Sequence, residues 1–223
     1  AHTCITVDAA RRCARLFDLP EAESLALLLG ALLHDLGKAE TTSWEFKRGR
    51  MTVTSPMHDS RGVELAAAFL EKLNVETRHG FPLKRLVLDL IRNHHRIFDL
   101  YRNRAEIGFK AVARLVKDMS GEDLLLSLLD FADRRSREPD PLGFSEPDEI
   151  FHWFRERKRE YNLNSETIRP LIMGRHLIAL GIPAGPVMGK WLDTLYERQL
   201  NGEFSSVKEG LRLFHEMKSG EVE

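Results

Sequence analysis

Residues 21–38 read EAESLALLLGALLHDLGK, and the fold turns on this stretch. After Pro20, leucines at 25, 27, 28, 29, 32, 33 and 36 leave almost no polar face, which predicts a helix from Glu21 to Leu36. A helix that is apolar nearly all round usually runs through the middle of a bundle. Its apolar run, Leu25–Leu33, is interrupted by Gly30 and is far shorter than the ~20 residues of a membrane span. Gly37 sits where a helix C-cap favours left-handed backbone. The odd feature is His34-Asp35 at the end of so apolar a segment. An ionised aspartate there is costly without a partner of opposite charge. Consecutive helical residues point ~100° apart, so the pair can offer two ligands to one divalent cation beside the helix. The other reading has Asp35 capping a neighbouring helix and His34 hydrogen-bonded in the core.

The same oddity recurs outward from this segment. His2 shares a stripe with Ile5, Ala9, Cys13 and Leu16. His58 stands at the start of a helix over Asp59–Leu73, whose Val63, Ala66, Ala67, Leu70 and Leu73 face inward. Pro82 opens another, with the stripe Leu83, Leu86, Val87, Leu90 and Ile91, and His94 continues it. Ile107–Met119 and Asp123–Arg134 read as two more helices, the second ending on Asp130 and Asp133, one turn apart on one side. Trp44–Phe46 and Met51–Thr54 around Arg48-Gly49 predict a short hairpin. The fold class is therefore all-α, a helical bundle with one short β-hairpin. Four or five helices carry an imidazole or carboxylate where an aliphatic residue is expected, and bundle cores build metal sites from facing helices.

Composition bounds the rest. With 43% apolar and 30% charged residues the chain can bury a core, which argues against disorder. Pro139, Pro141 and Pro147 mark a loop, placing a boundary near 140 between a domain over 1–140 and a helical C-terminal region over 141–223. That region carries a charged helix (Asp148–Tyr161), a segment rich in small residues (Met173–Lys190) and an amphipathic helix (Ser205–Lys218). A net charge of −1 gives no global positive field, so any polyanion site is local. One candidate is the helix start Gly185–Lys190, flanked by Arg175 and Lys190, where backbone N–H groups can approach a phosphate; tight packing of that helix explains its glycines equally well. The basic stretch Arg155–Arg159 is interleaved with Glu156 and Glu160 and reads as a solvated face. Cys4 and Cys13 make no disulfide framework and match no zinc spacing, and no charged-then-apolar leader opens the chain. These point to a reducing, cytoplasmic location without a membrane. His2 on a first helical turn, where fraying is worst, suggests that further residues precede the chain.

The pattern His2, His34-Asp35, His58, His94 and Asp133, with the run Leu32–Lys38, resembles the HD-domain metal-dependent phosphohydrolases. Ala39-Glu40-Thr41-Thr42, the hairpin ending before His58, Arg92-Asn93-His94, Ala132-Asp133-Arg134 and the tail Gly174–Pro186 are similar to the HD and C-terminal regions of bacterial tRNA nucleotidyltransferases. The likeness covers roughly residues 1 to 200. It implies that His2, His34, Asp35 and Asp133 bind a divalent metal (Mg, Mn, Ni, Co, Fe or Zn). It further implies that His58 and His94 bind a second ion or contact phosphate, and that Lys38 touches phosphate. Asp133 is preferred to Asp130 on that motif alone, and His95 ranks behind His94. The implied substrates are phosphomonoesters or 2′,3′-cyclic nucleotide phosphates, with His58 or His94 protonating the leaving group. The glycine-serine turn and paired aspartates of a nucleotidyltransferase head are missing, so this chain by itself is not expected to add nucleotides. Two rivals remain: an RNA-binding or scaffold module, with tRNA as partner and a vestigial metal site, and a hydrolase of free nucleotides.

Overall fold

The computed structural model describes residues 2–163 and 169–220. Helix α1 (His2–Leu16) leads to α2 (Glu21–Leu33), the four-residue α3 (Lys38–Thr41), strands β1 (Ser43–Lys47) and β2 (Arg50–Thr54), and α4 (His58–Lys72). Then follow α5 (Leu83–Asn93), α6 (Arg96–Arg102), α7 (Phe109–Asp118) and α8 (Asp123–Arg135). The remainder is α9 (Glu149–Glu160), α10 (Gly174–Ala179), α11 (Pro186–Leu200) and α12 (Val207–Gly220). The all-α class is correct: the antiparallel hairpin, pairing Ser43 with Thr54 and Lys47 with Arg50, is the only sheet among the described residues. No helix among them is long and apolar enough to cross a membrane.

Pro20 and the acidic first-turn residues Glu21 and Glu23 start α2, where carboxylates favour the positive end of the helix dipole. The helix packs against α1, α5 and α8 but leaves Leu32 half exposed. The middle of the bundle belongs as much to α8, in which every residue from Leu125 to Asp133 is buried. Helix α1 presents Thr6, Ala9, Ala10, Cys13 and Ala14 to these two helices, while Leu16 of the expected stripe faces water. Small side chains let helix axes come close, so tertiary fit overrode side-chain size here.

Helix α2 stops at Leu33, three residues earlier than expected, and the chain turns through His34–Gly37. Gly37 is not a left-handed cap; its φ is −64° and its ψ −22°. The glycine is required by proximity instead. A Cβ there would lie 2.0 Å from the His58 carbonyl oxygen and 2.6 Å from the Gly62 nitrogen. Helix α4 thus rests its backbone directly on the turn that carries His34 and Asp35.

The apolar core runs through α1, α2 and α4–α8 and continues into Phe144, Ile150, Phe151, Phe154, Leu163 and Leu200. Helix α9 packs against α6 and α8, capped at its start by Asp148, which accepts from the Phe151 amide at 3.2 Å. Its basic face is not simply solvated: Lys158 and Arg155 both reach the fully buried Asp123 of α8. A second cluster, Ile172, Leu177, Met188, Leu195, Phe204 and Phe214, is built from the C-terminal helices.

Candidate metal centre

His34 and Asp35 leave α2 together, His58 opens α4, His94 follows α5, Asp133 ends the buried part of α8, and His2 opens α1. The six side chains converge. His2 Nε2 lies 2.9 Å from Asp133 Oδ1 and 3.6 Å from Asp35 Oδ2. His34 Nε2 is 3.3 Å from Asp133 Oδ1 and 3.4 Å from Asp35 Oδ2. The other oxygen of Asp35 stands 3.9 Å from Nε2 of both His58 and His94. Asp35 is therefore the hub: one oxygen faces His2 and His34, the other His58 and His94.

The rings are aimed by a repeated local device. His34, His58 and His94 each bond through Nδ1 to the carbonyl three residues earlier: Ala31 at 2.9 Å, Ser55 at 2.8 Å and Ile91 at 2.7 Å. A carbonyl only accepts, so Nδ1 carries the proton and the lone pair falls on Nε2 unless the ring is charged. His2 obtains the same orientation from Ser136. That hydroxyl donates to the Asp133 carbonyl at 2.7 Å and so accepts from His2 Nδ1, also at 2.7 Å. Outer partners of this kind fix ring orientation at metal sites.

Five buried atoms here have no hydrogen bond of proper geometry: His2 Nε2, His34 Nε2, His94 Nε2, Asp35 Oδ1 and Asp59 Oδ1, although His2 Nε2 and Asp59 Oδ1 each stand 2.9 Å from an ionisable neighbour. Unsatisfied buried polar atoms are costly and uncommon, and imidazole with carboxylate is a donor set suited to divalent cations. The residues fit a metal. They divide into His2, His34 and Asp35 on one side and His58, Asp59, His94 and His95 on the other.

The electrostatics agree. Burial opposes ionisation of Asp35 and Asp133, but His34 beside both, with Lys38 beside Asp35 and Arg137 beside Asp133, holds the two carboxyls well below the usual range. Burial likewise works against charge on His34, yet the Asp133 and Asp35 carboxylates outweigh it and push the ring up to about 9. Burial, with His95 alongside, pushes His94 down to about 3.

Lys38 bonds Asp35 Oδ2 at 2.7 Å, at the rim of the centre. Asp130 is one turn from Asp133 but looks elsewhere, accepting from the Phe98 amide at 3.2 Å and from Arg134 at 2.9 Å. Arg175 and Lys190 sit on α10 and α11, elements that carry none of the six. Two participants are new or promoted: Asp59, 2.9 Å from His58 Nε2, and His95, whose Nε2 is 3.1 Å from that same atom. The available signal for Asp59 is that His58-Asp59 repeats the dipeptide His34-Asp35.

Comparison with protein-family models matches the HD domain over residues 1–138. The chain belongs to the HD domain family. The matched span holds all six converging residues together with Asp59 and His95. HD domains are generally metal-dependent hydrolases, in keeping with the donor set described. Comparison with curated proteins and with solved structures returned no match.

Proposed function

We propose that the chain is a metal-dependent phosphohydrolase acting on phosphomonoesters or 2′,3′-cyclic nucleotide phosphates. The supporting observation is the convergence of five buried nitrogen and oxygen atoms without a hydrogen bond, from helices α1 and α4 and from the turns after α2 and α5. His2, His34, Asp35 and Asp133 are the ligands of the principal ion. Such a cation brings the pKa of water toward neutrality and polarises a phosphoryl oxygen. Lys38 and Arg137 hold the ligand carboxylates from the solvent side, and each is placed to exchange that partner for a phosphoryl oxygen. His58 is held on both nitrogens, by Ser55 on Nδ1 and by Asp59 and His95 on Nε2. With Nδ1 donating to the Ser55 carbonyl, the Nε2 proton of the charged ring is the one available to the leaving oxygen. If a second ion binds, His58 joins Asp59, His94 and His95 as its ligands instead, and metal stoichiometry decides between the two.

His34→Ala and Asp35→Ala should each lower bound metal on elemental analysis and abolish turnover of both substrate classes. Full metal content with intact turnover in either variant would end this reading.

We further propose that residues 1–140 carry the hydrolase, that 141–223 form a helical extension, and that the likeness to tRNA nucleotidyltransferases reflects a tRNA partner. A specific observation favours a phosphate contact at the start of α11. A Cβ at Gly185 or Gly189 would meet nothing within 4 Å, so close packing accounts for neither; Gly185 is explained by its φ of +157°, and Gly189 leaves the backbone open to a ligand. Arg175→Ala with Lys190→Ala should weaken tRNA binding and flatten its salt dependence; unchanged binding would reduce the segment to a surface feature.

A further inference from the structure

The hairpin is amphipathic in the wrong direction. Its register opposes Trp44 to Val53 and Phe46 to Met51, and alternation along a strand puts all four on one face. That face is turned to water, with Trp44 68%, Phe46 71%, Met51 56% and Val53 51% exposed. Glu45 and Thr52, on the opposite face, are the half-covered pair. An ordinary one-sided hairpin does the reverse. At the tip, Arg48 and Arg50 have no ion pair among the described residues, while Lys47 is paired with Glu45.

The root of the hairpin belongs to the metal centre. Thr42 and Ser55 tie the two strand ends together at 2.9 Å, and the Ser55 carbonyl is the group that orients His58. From root to tip the order is therefore His58, the Trp44–Val53 pair, the Phe46–Met51 pair, then two unpaired guanidinium groups. A five-residue strand covers about 17 Å.

We propose that this face is a base-stacking platform that delivers the end of a single-stranded polynucleotide to the metal centre. The proposal rests on the phosphohydrolase reading and names the substrate class. Successive bases stack on Trp44 and Phe46, while upstream phosphates meet Arg48 and Arg50. A free mononucleotide has only one base and no upstream phosphate, and leaves the outer ring and the tip without a role. Rings followed by cations along one path suit single strands, because every base has a stacking face. The chemistry at the root is simple hydrolysis. The ester P–O bond breaks, a water oxygen bonds to phosphorus, and a proton goes to the leaving oxygen.

The test is fluorescence anisotropy of the full chain with a labelled hexa-adenylate bearing a 3′-phosphate. Each base–aromatic stack is worth about 5-fold to 150-fold in affinity, so Trp44→Ala with Phe46→Ala should weaken binding by roughly 25-fold or more. Trp44→Phe, which keeps a ring, should stay within a few-fold. Arg48→Ala with Arg50→Ala should reduce the slope of log K against log salt by about 1.4, the value for two single-strand phosphates. A double ring variant that binds within twofold of the unaltered chain overturns the proposal. So does binding of anionic lipid vesicles but not the oligonucleotide, or a dimer that the ring substitutions dissociate without any oligonucleotide binding. Parallel assay with p-nitrophenyl phosphate separates the two readings. Ring-dependent binding without hydrolysis of either compound sinks only the phosphohydrolase. Hydrolysis of p-nitrophenyl phosphate with ring-independent binding sinks only the platform.

Discussion

Replacing Gly37 with alanine sets two effects against each other, and the structure says which wins. The backbone there is ordinary right-handed helix, with φ −64° and ψ −22°. In that conformation a glycine-to-alanine change by itself stabilises a protein by about 0.4–1 kcal/mol, by restricting the unfolded chain. The new methyl group, however, would lie 2.0 Å from the His58 carbonyl oxygen and 2.6 Å from the Gly62 nitrogen. Both obstacles are main chain in α4, so no side chain can rotate aside. Real Cβ contacts are essentially never under 3.0 Å, and the His58 backbone must retreat by about 1 Å or more. Overpacking of this kind costs about 1–3 kcal/mol, which outweighs the entropic gain. Metal sites tolerate distance errors of only about 0.2 Å, so the shift also parts His58 and Asp59 from Asp35. The variant should melt several degrees lower and lose metal from the His58–His95 side first, as read by calorimetry and metal titration. A Gly37→Ala protein with a raised melting temperature and unchanged metal content would refute the close approach of α4.

Metal-free protein should be most stable near pH 6.5. His34, raised to about 9, contributes stability fully present below its unfolded value of about 6.5 and lost as pH rises through 9. His94, lowered to about 3, contributes stability that is lost as pH falls below about 6.5, and the depressed Asp35 and Asp133 add further loss below about 4. Asp130, which burial raises to about 6 despite Arg134, opposes this on the acid side with a smaller shift. Melting temperature against pH with a chelator present checks the shape, and a profile rising from pH 6.5 to 9 contradicts it. Added cation should stabilise more at pH 9 than at pH 6, because it must displace the His34 proton. Ser136→Ala frees His2 Nδ1 and should cost about 10-fold to 100-fold in metal affinity with little change in melting temperature; competition against a chelator gives the number, and unchanged affinity would show that His2 needs no such partner.

What the sequence revealed depended on whether an apolar period carried it. Helix α5 shows all five expected residues, Leu83, Leu86, Val87, Leu90 and Ile91, buried, with His94 buried after them. The hairpin was marked by Arg48-Gly49 between two β-prone runs. Helix α6 was missed because no proline or glycine separates it from α5; the break is a change of direction at His94-His95. Asp59 gave no periodic signal, since an acidic residue in a first helical turn is ordinary. His95 lies off the α5 stripe and becomes relevant only because α4 packs against the turn that carries it. Asp130 and Asp133 could not be told apart by spacing, as both are buried on α8. What separates them is the Phe98 amide, which claims Asp130 from a helix 32 residues away. The role of Gly37 was misjudged for the same reason: local rules supply conformational freedom as its motive, whereas the neighbour that requires it arrives from another helix.

The hydrogen bond between Ser136 and His2 spans 134 positions of sequence. During synthesis α1 leaves the ribosome before α8 exists, so His2 waits for its partners while the intervening helices are made. Contacts of such separation form late, because loop closure precedes their reward. A cation that needs both ends of that span cannot be captured by a nascent fragment. Loading of the metal would then report that the whole bundle has closed, and a cell short of the ion would accumulate chains finished everywhere except at this seam.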